Sequence, residues 1–316
     1  MKKREILVLG AGVSGLSTGI LLLKQGFEVT IWAKDLPPNI TSSKAGASWF
    51  PYLCDPKDKV IKWGKASLAY LEKELVGKPN TGCIKRREIE LYTSKQPDPW
   101  WEEAVSFKRA AKEDLPPGYI DGFEIEGVLM DSSIYVGYLI NELKSLGGEI
   151  IQKNVESINA AFEDYDIVVN CTGLGSRDLF GDKSVYPVRG QMIRVKSNGF
   201  NKVVADNAGP NALAVIIPRI NDIVLGGTTQ ANNWNLEVDG KDREDILRKV
   251  GNLYPVFKNV EIIGETVGLR PARPEVRLEA ENFSGKTVVH NYGHGGAGFT
   301  LSWGCAQEVV SIVEKI

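Results

Sequence analysis

The glycine-rich segment GAGVSG at residues 10–15 constrains the fold most strongly, because of the elements that flank it. The apolar run before it, residues 5–9, predicts a buried strand, and the residues after it show helical apolar spacing until Gly26. A second apolar run at residues 29–32 predicts another buried strand. This order predicts the start of a Rossmann-like dinucleotide-binding fold, in which glycines let the backbone approach a pyrophosphate at a helix amino terminus.

Composition limits the classes of protein to consider. Of the 316 residues, 43% are hydrophobic and 25% are charged, which is typical of a folded globular protein and excludes a disordered or fibrous chain. The formal net charge of −2 gives no reason to expect nucleic acid or a membrane as a partner. No apolar run approaches the roughly 20 residues that cross a bilayer, and no signal-peptide cleavage site follows the basic amino terminus. We therefore expect a cytoplasmic protein.

Few residues are available for metal or hydrolase chemistry. The four cysteines are widely spaced and form no CxxC pair, and the chain has only two histidines, His290 and His294. We therefore expect neither a metal site nor a Ser-His-Asp hydrolase. His294 lies beside a glycine cluster, and we interpret it as a packed, hydrogen-bonded structural residue rather than a general base.

The pattern along the chain predicts two domains, one inserted into the other. The nucleotide-binding domain is expected to comprise residues 1–50, 131–186 and 265–316. Proline-rich, aromatic and charged segments without a βαβ rhythm predict a substrate-binding domain of residues 51–130 and 187–264. The expected fold class is α/β, with a Rossmann-like domain and an inserted α+β domain built on a mainly antiparallel sheet.

A second glycine-rich segment lies near the carboxyl terminus. Residues 291–300 read NYGHGGAGFT and follow a predicted strand that ends at His290. A helix is predicted from about Leu301 to Val313. Such a strand, glycine loop and helix favour close approach of the backbone to a planar or anionic ligand.

The whole chain resembles the D-amino acid oxidase family, the FAD enzymes that include D-aspartate oxidase. The blocks that carry the resemblance occur in the family's order from end to end: GAGVSGLS (10–17), TSSKAGASWFPY (41–52), DIVVNCTG (166–173), PVRGQ (187–191), LGGTTQANNWNL (225–236), VGLRPARPEVRLE (267–279) and HNYGHGGAGFTLSWG (290–304). The GxGxxG pattern alone would indicate only a flavin or nicotinamide cofactor.

The resemblance implies FAD as the cofactor and assigns residues to it. The first glycine turn would hold the pyrophosphate, Thr41 and Ser42 would contact phosphates, and the second glycine loop would lie under the flavin pyrimidine edge. The cofactor-binding residues expected are Gly10, Gly12, Val13, Ser14, Gly15, Lys34, Asp35, Thr41, Ser42, Gly46, Ala47, Ser48, Val155, Cys171, Thr172, Gly173, Arg270, Gly295, Gly296, Gly298, Phe299 and Thr300. The acidic residue that usually ends the second strand is replaced by Ala33, so Asp35 and Lys34 are the nearest candidates for a ribose and a phosphate.

Arg270 matches the family arginine that binds the substrate carboxylate through two parallel hydrogen bonds. The implied reaction transfers a hydride from the substrate Cα to the flavin, and it depends on position and orientation rather than on a protein acid or base. Products would be a 2-oxo acid, ammonia and hydrogen peroxide. The substrate-binding residues expected are Arg270, Gly296, Asn211, Tyr52 and Thr229.

The chain departs from the family pattern at the substrate. Family tyrosines that support the carboxylate are replaced by Asn211 and Val215, so we expect Asn211 or Tyr52 to substitute for them. The D-aspartate-selective branch has an arginine where this chain has Thr229. Because an unpaired buried carboxylate is costly, we expect D-amino acids with neutral, apolar side chains.

Alternatives remain open from the sequence. One is an oxidase of glycine or N-methyl amino acids, and another is D-aspartate oxidase. A third is a flavin-binding, carboxylate-sensing protein without activity, which the missing tyrosines would explain. The expected partners are a small D-amino acid and oxygen, and a homodimer is one expectation for the oligomeric state.

Overall fold

The computed structural model describes residues 4–50 and 54–316, and these ranges contain seven α-helices and fourteen strands. The helices are α1 (Val13–Lys24), α2 (Lys57–Glu74), α3 (Ser132–Ser145), α4 (Ile158–Phe162), α5 (Ser176–Leu179), α6 (Gly240–Leu253) and α7 (Gly298–Val313). The strands are β1 (Glu5–Leu9), β2 (Glu28–Ala33), β3 (Cys83–Tyr92), β4 (Phe107–Arg109), β5 (Asp121–Met130), β6 (Glu149–Gln152), β7 (Ile167–Asn170), β8 (Tyr186–Lys196), β9 (Val203–Asp206), β10 (Ala214–Pro218), β11 (Asp222–Gly226), β12 (Gln230–Ala231), β13 (Ile262–Phe283) and β14 (Lys286–His294).

One half of the sheet is parallel and has the order β14-β7-β1-β2-β6. Its central strands β1 and β7 are almost entirely buried, as expected of strands covered on both faces. Helices α1, α3 and α7 bury apolar side chains against one face, and α4 packs Ala161 and Phe162 against the other. The Rossmann-like half predicted from the first glycine segment is therefore present.

The other half of the sheet has the order β4-β5-β3-β9-β10-β11-β8 and is antiparallel except for the β3–β9 pair. Helix α6 packs Ile246, Val250 and Leu253 against it, because these residues recur at helical spacing on one face. The predicted fold class, an α/β chain with a mainly antiparallel second sheet region, is confirmed.

Strand β13 joins the two halves into one sheet. Its first part pairs with β8 over residues 262–272, and its later part pairs with β14. The two halves therefore meet along one strand, and a cleft lies between the ends of the parallel strands and the antiparallel face. The domain boundaries stay a prediction.

The starts of two helices are defined by local contacts. Helix α3 begins at Ser132, since the Asp131 side chain accepts a hydrogen bond from the Ser133 amide, 3.1 Å away. Helix α7 begins at Gly298 rather than near Leu301, because a 3-10 turn over Gly295–Ala297 leads directly into it. Over residues 4–50 and 54–316, no helix is both long and apolar enough to span a membrane.

Candidate functional site

A cavity of about 810 Å³ follows the cleft between the two halves of the sheet. One end is lined by the loops after β1 and β7, and the other by the face of the antiparallel strands β3, β9 and β10. Open α/β sheets bind ligands beyond the carboxyl ends of their parallel strands, and this volume is within the range of cofactor and ligand sites.

The first glycine turn forms part of the cavity wall. Gly10 has φ +105°, and a Cβ there would lie 2.5 Å from the Cys171 carbonyl oxygen. A Cβ on Gly15 would lie 1.9 Å from the Gly10 carbonyl oxygen, so Gly15 lets α1 pack closely beneath the turn. Side chains at these positions would displace the loop from the amino-terminal end of α1. The turn therefore fits a diphosphate held by backbone amides.

The hydroxyl group of Ser42, next to this turn, is placed for phosphate binding. The Ser42 hydroxyl oxygen accepts a hydrogen bond from the Val13 amide at 3.0 Å, so its own hydrogen is available to donate to a ligand. The Thr41 hydroxyl donates to the Leu269 carbonyl at 3.2 Å. Beyond these, Lys34 and Asp35 line the cavity at the end of β2.

The nucleotide end of the cavity also contains a residue that the sequence did not single out. Lys153, two residues before Val155, holds its ammonium 3.4 Å from the centre of the Trp32 ring. Both residues and Val155 line the cavity. This end therefore combines an aromatic surface with a cation.

The second glycine loop lies at the middle of the cavity. Gly295 has φ +53°, which favours glycine, and the loop carries Gly296, Gly298 and Phe299 into the cavity lining. The Thr300 hydroxyl donates to the Phe50 carbonyl at 2.9 Å and fixes the start of α7. The first residues of α7 line the cavity, and within the described ranges no side chain caps this helix, so its positive dipole end lies at the cavity wall.

Three buried polar atoms without a hydrogen-bond partner among residues 4–50 and 54–316 belong to residues that line this cavity. They are Trp32 Nε1, Asn291 Oδ1 and His294 Nε2. Buried polar atoms are usually paired, so their concentration here is typical of a ligand site. Burial lowers the pKa of His294 to about 4 and keeps the ring neutral near pH 7. His294 is packed as predicted, and its Nε2 has no hydrogen-bond partner among the described residues.

Arg270 lies between the two glycine loops and the antiparallel face. Its guanidinium folds over Gly190 on β8, where a Cβ would lie 2.3 Å from Nη1 and 2.5 Å from Nη2. Nη1 also donates to the Thr228 carbonyl at 3.1 Å. Only glycine at position 190 leaves room for the guanidinium in this position. Gly190 therefore allows the Arg270 guanidinium to lie at the cavity wall.

The antiparallel face of the cavity that begins beside Arg270 combines apolar and acidic side chains. Met192, Val215 and Ile217 line it, together with Glu88 and Glu90 from β3. Sequence reasoning missed both glutamates, because charged residues that alternate with apolar ones along a strand usually indicate a solvent-facing side.

The structure brings most of the predicted site residues together. Those that line the cavity are Gly10, Gly12, Val13, Ser14, Lys34, Asp35, Thr41, Ser42, Gly46, Ala47, Ser48, Val155, Cys171, Thr172, Gly173, Thr229, Arg270, Gly295, Gly296, Gly298, Phe299 and Thr300. Gly15 supports the first turn from beneath. Tyr52 lies outside the described residues.

Asn211 requires a correction. It does not belong to the described lining of the cavity, and it is only 7% exposed. Its side chain donates to the Tyr119 hydroxyl at 3.2 Å and accepts from Asn252 at 3.1 Å. These bonds hold the loop after β9, so the expected contact between Asn211 and the substrate carboxylate is wrong.

Comparison with known proteins gives one consistent result. The family model described as FAD dependent oxidoreductase matches residues 5–312. A D-amino-acid oxidase of Dictyostelium discoideum is 48% identical, covering 99% of this chain and 92% of that protein. A D-amino-acid oxidase of Rubrobacter xylanophilus is 42% identical, covering 96% of this chain and 94% of that protein. The solved structure of glycine oxidase from Geobacillus kaustophilus has a TM-score of 0.82 at 18% identity, covering 99% and 95% of the two chains, which shows a shared fold.

Proposed function

Since this chain belongs to the FAD-dependent oxidoreductase family, we propose that it is an FAD enzyme that oxidises D-amino acids. One D-amino acid, one oxygen and one water would yield a 2-oxo acid, ammonia and hydrogen peroxide. The proposal is supported by the D-amino-acid oxidase relatives, which match this chain over nearly their full length. Its substrate partner is therefore a small molecule.

The geometry that carries the proposal is the position of Arg270 in the same cavity as both glycine loops. A guanidinium presents two parallel N–H groups that match a carboxylate, and Gly190 and the Thr228 carbonyl hold that fork in place. Binding the α-carboxylate there would fix the substrate Cα relative to the cofactor. Holding the reacting atoms in this orientation would accelerate hydride transfer without a protein acid or base.

The residues of the cavity fit FAD. The turn at Gly10 and the start of α1 would hold the pyrophosphate, Ser42 and Thr41 would contact phosphates, and the loop at Gly295 would face the flavin. When bound, FAD supplies a hydride acceptor that passes electrons to oxygen. The amino-terminal end of α7 favours negative charge in this part of the cavity. Burial lowers the pKa of His294 to about 4, so the ring is neutral near pH 7 and is a weak base.

The alternatives have less support. The likeness to glycine oxidase is at 18% identity and concerns the fold alone. Thr229 lines the cavity where a D-aspartate-selective site would be expected to hold an arginine. A non-catalytic flavoprotein predicts bound FAD that no amino acid reduces. A cytoplasmic location and a homodimer are carried forward as proposals from the sequence.

The direct test is an oxidase assay on the FAD-loaded protein with a panel of D- and L-amino acids, glycine and sarcosine. Peroxide and 2-oxo acid should form in equal amounts from D-amino acids and not from their L forms. Turnover of glycine or sarcosine in preference to every D-amino acid would replace the proposal with the glycine-type activity. Absence of turnover with a fully loaded protein would support the non-catalytic alternative.

A further inference from the structure

Glu88 is a carboxylate in the wall of the substrate end of the cavity. It extends from β3, is only 2% exposed and lines the cavity. Its Oε1 accepts a hydrogen bond from the Ser48 hydroxyl, which comes from the segment that crosses over the sheet after the Thr41–Lys44 turn. Gly127 on the neighbouring strand makes room for this arrangement, since a Cβ there would lie 2.1 Å from Glu88 Oε1.

Glu88 differs from the buried carboxylates Asp222 and Glu124 in its lack of a countercharge. Asp222 is paired with Arg219 and Arg194, and Glu124 is paired with Arg87. For Glu88, no Lys, Arg or His partner occurs within the described part of the chain, and Ser48 is its hydrogen-bond donor. Burial raises the pKa of Glu88 to about 8, although the Ser48 hydrogen bond opposes the shift. Near pH 7 the free side chain is therefore mainly the neutral acid, and a cation arriving in the cavity would favour its ionised form and pair with it.

Glu88 and Arg270 lie at opposite ends of the substrate region. Arg270 folds over β8, and β8 and β3 are separated in the sheet order by β11, β10 and β9. Met192, Val215 and Ile217 line the cavity between them with apolar surface. A substrate that contacts both ends therefore needs a long side chain with an apolar stem.

We propose that Glu88, oriented by Ser48, selects D-amino acids whose long side chains end in a guanidinium or an ammonium group. The inference rests on the proposed function and names its substrate class. The α-carboxylate would bind Arg270, the methylene stem would cover the apolar wall, and the terminal cation would form a charge-assisted pair with Glu88. This replaces the expectation of an apolar side chain, which considered Thr229 alone.

The test compares charged and neutral substrates of equal shape on the FAD-loaded enzyme. D-Arginine is paired with D-citrulline, and D-lysine with D-2-aminoheptanoate. The wild type should show kcat/KM about tenfold or more higher for each cationic member, because the pair forms in a desolvated wall. In Glu88→Gln this preference should disappear while kcat/KM for the neutral members changes less than about twofold.

Two further variants guard against a change in folding. Ser48→Ala keeps the Glu88 carboxyl group but removes its orienting hydroxyl, and it should reduce the preference without abolishing it. Glu126→Gln, at a carboxylate of β5 that is 63% exposed and paired with Lys85, should leave the preference unchanged. The flavin absorption spectrum of each variant reports whether the cofactor site is intact.

The outcomes separate this inference from the proposed function. Equal kcat/KM for charged and neutral substrates in the wild type, or an equal loss of both in Glu88→Gln, would overturn the inference and leave D-amino acid oxidation standing. If no D-amino acid of either kind is oxidised by the FAD-loaded enzyme, the proposed function fails and the inference fails with it.

Discussion

Replacement of Gly190 by alanine should weaken substrate binding by Arg270 without changing Arg270 itself. An added Cβ would lie 2.3–2.6 Å from the guanidinium atoms of Arg270, which forces the fork away from the cavity wall. Hydrogen bonds to charged groups contribute about 1.5–3 kcal/mol each, so loss of one or both from the fork costs about 3 kcal/mol. That free energy corresponds to a decrease of about 100-fold in kcat/KM.

The assay for Gly190→Ala is steady-state oxidation of a D-amino acid by the FAD-loaded protein. Gly137→Ala is the matched control, since a Cβ on this exposed residue of α3 meets no atom within 4 Å in the structure. The control should keep wild-type activity, and both proteins should keep the flavin spectrum. Retention of kcat/KM within about twofold in Gly190→Ala would refute the argument that Gly190 fixes the arginine.

Three other predictions concern charged groups. Arg270→Ala should raise KM by about 100-fold with FAD still bound. Arg277 lies on the same strand but is paired with Glu281, so Arg277→Ala should leave KM unchanged. Equal kinetics in the two variants would remove Arg270 from substrate binding. Thr229→Arg should raise kcat/KM for D-aspartate above that of the wild type, and an unchanged value would place the side-chain subsite elsewhere. Burial raises the pKa of the Asp182 carboxyl, but hydrogen bonds from Ser184, Tyr292 and Arg273 outweigh it and hold the pKa well below the ordinary 3.8. The resulting stability is complete above pH 3.8 and is lost as the pH falls towards the folded-state pKa, so Asp182→Asn should lower Tm more at pH 7 than at pH 3.

The sequence predicted the cofactor end of the site well, because local rules determine it. The turn at Gly10 and the loop at Gly295 each join a buried strand to a helix, and both require backbone conformations that glycine provides. Arg270 was found through its motif, and Gly190 lies in another quoted motif. Their contact was not predicted, because it depends on the pairing of β13 with β8.

The substrate end was harder to predict because long-range pairing determines it. Glu88 and Glu90 alternate with apolar residues in β3, a pattern that also fits a solvent-facing strand. Pairing of β3 with β9 places them in the cavity wall instead. The prediction that Asn211 contacts the substrate was wrong for a related reason. The family pattern gives a residue's place in the chain but not the direction of its side chain. Its bonds to Tyr119 and Asn252 turn it away from the cavity.

The measurement that tests the central claim most directly is the visible absorption spectrum of the FAD-loaded protein without oxygen. The spectrum is recorded before and after addition of D-arginine, D-lysine or D-alanine, and again with the L forms. Bleaching of the flavin band by D but not by L amino acids is the predicted result, since it reports hydride transfer and its stereochemistry together. A flavin band that no D-amino acid changes, or a protein that binds no FAD, would contradict the account.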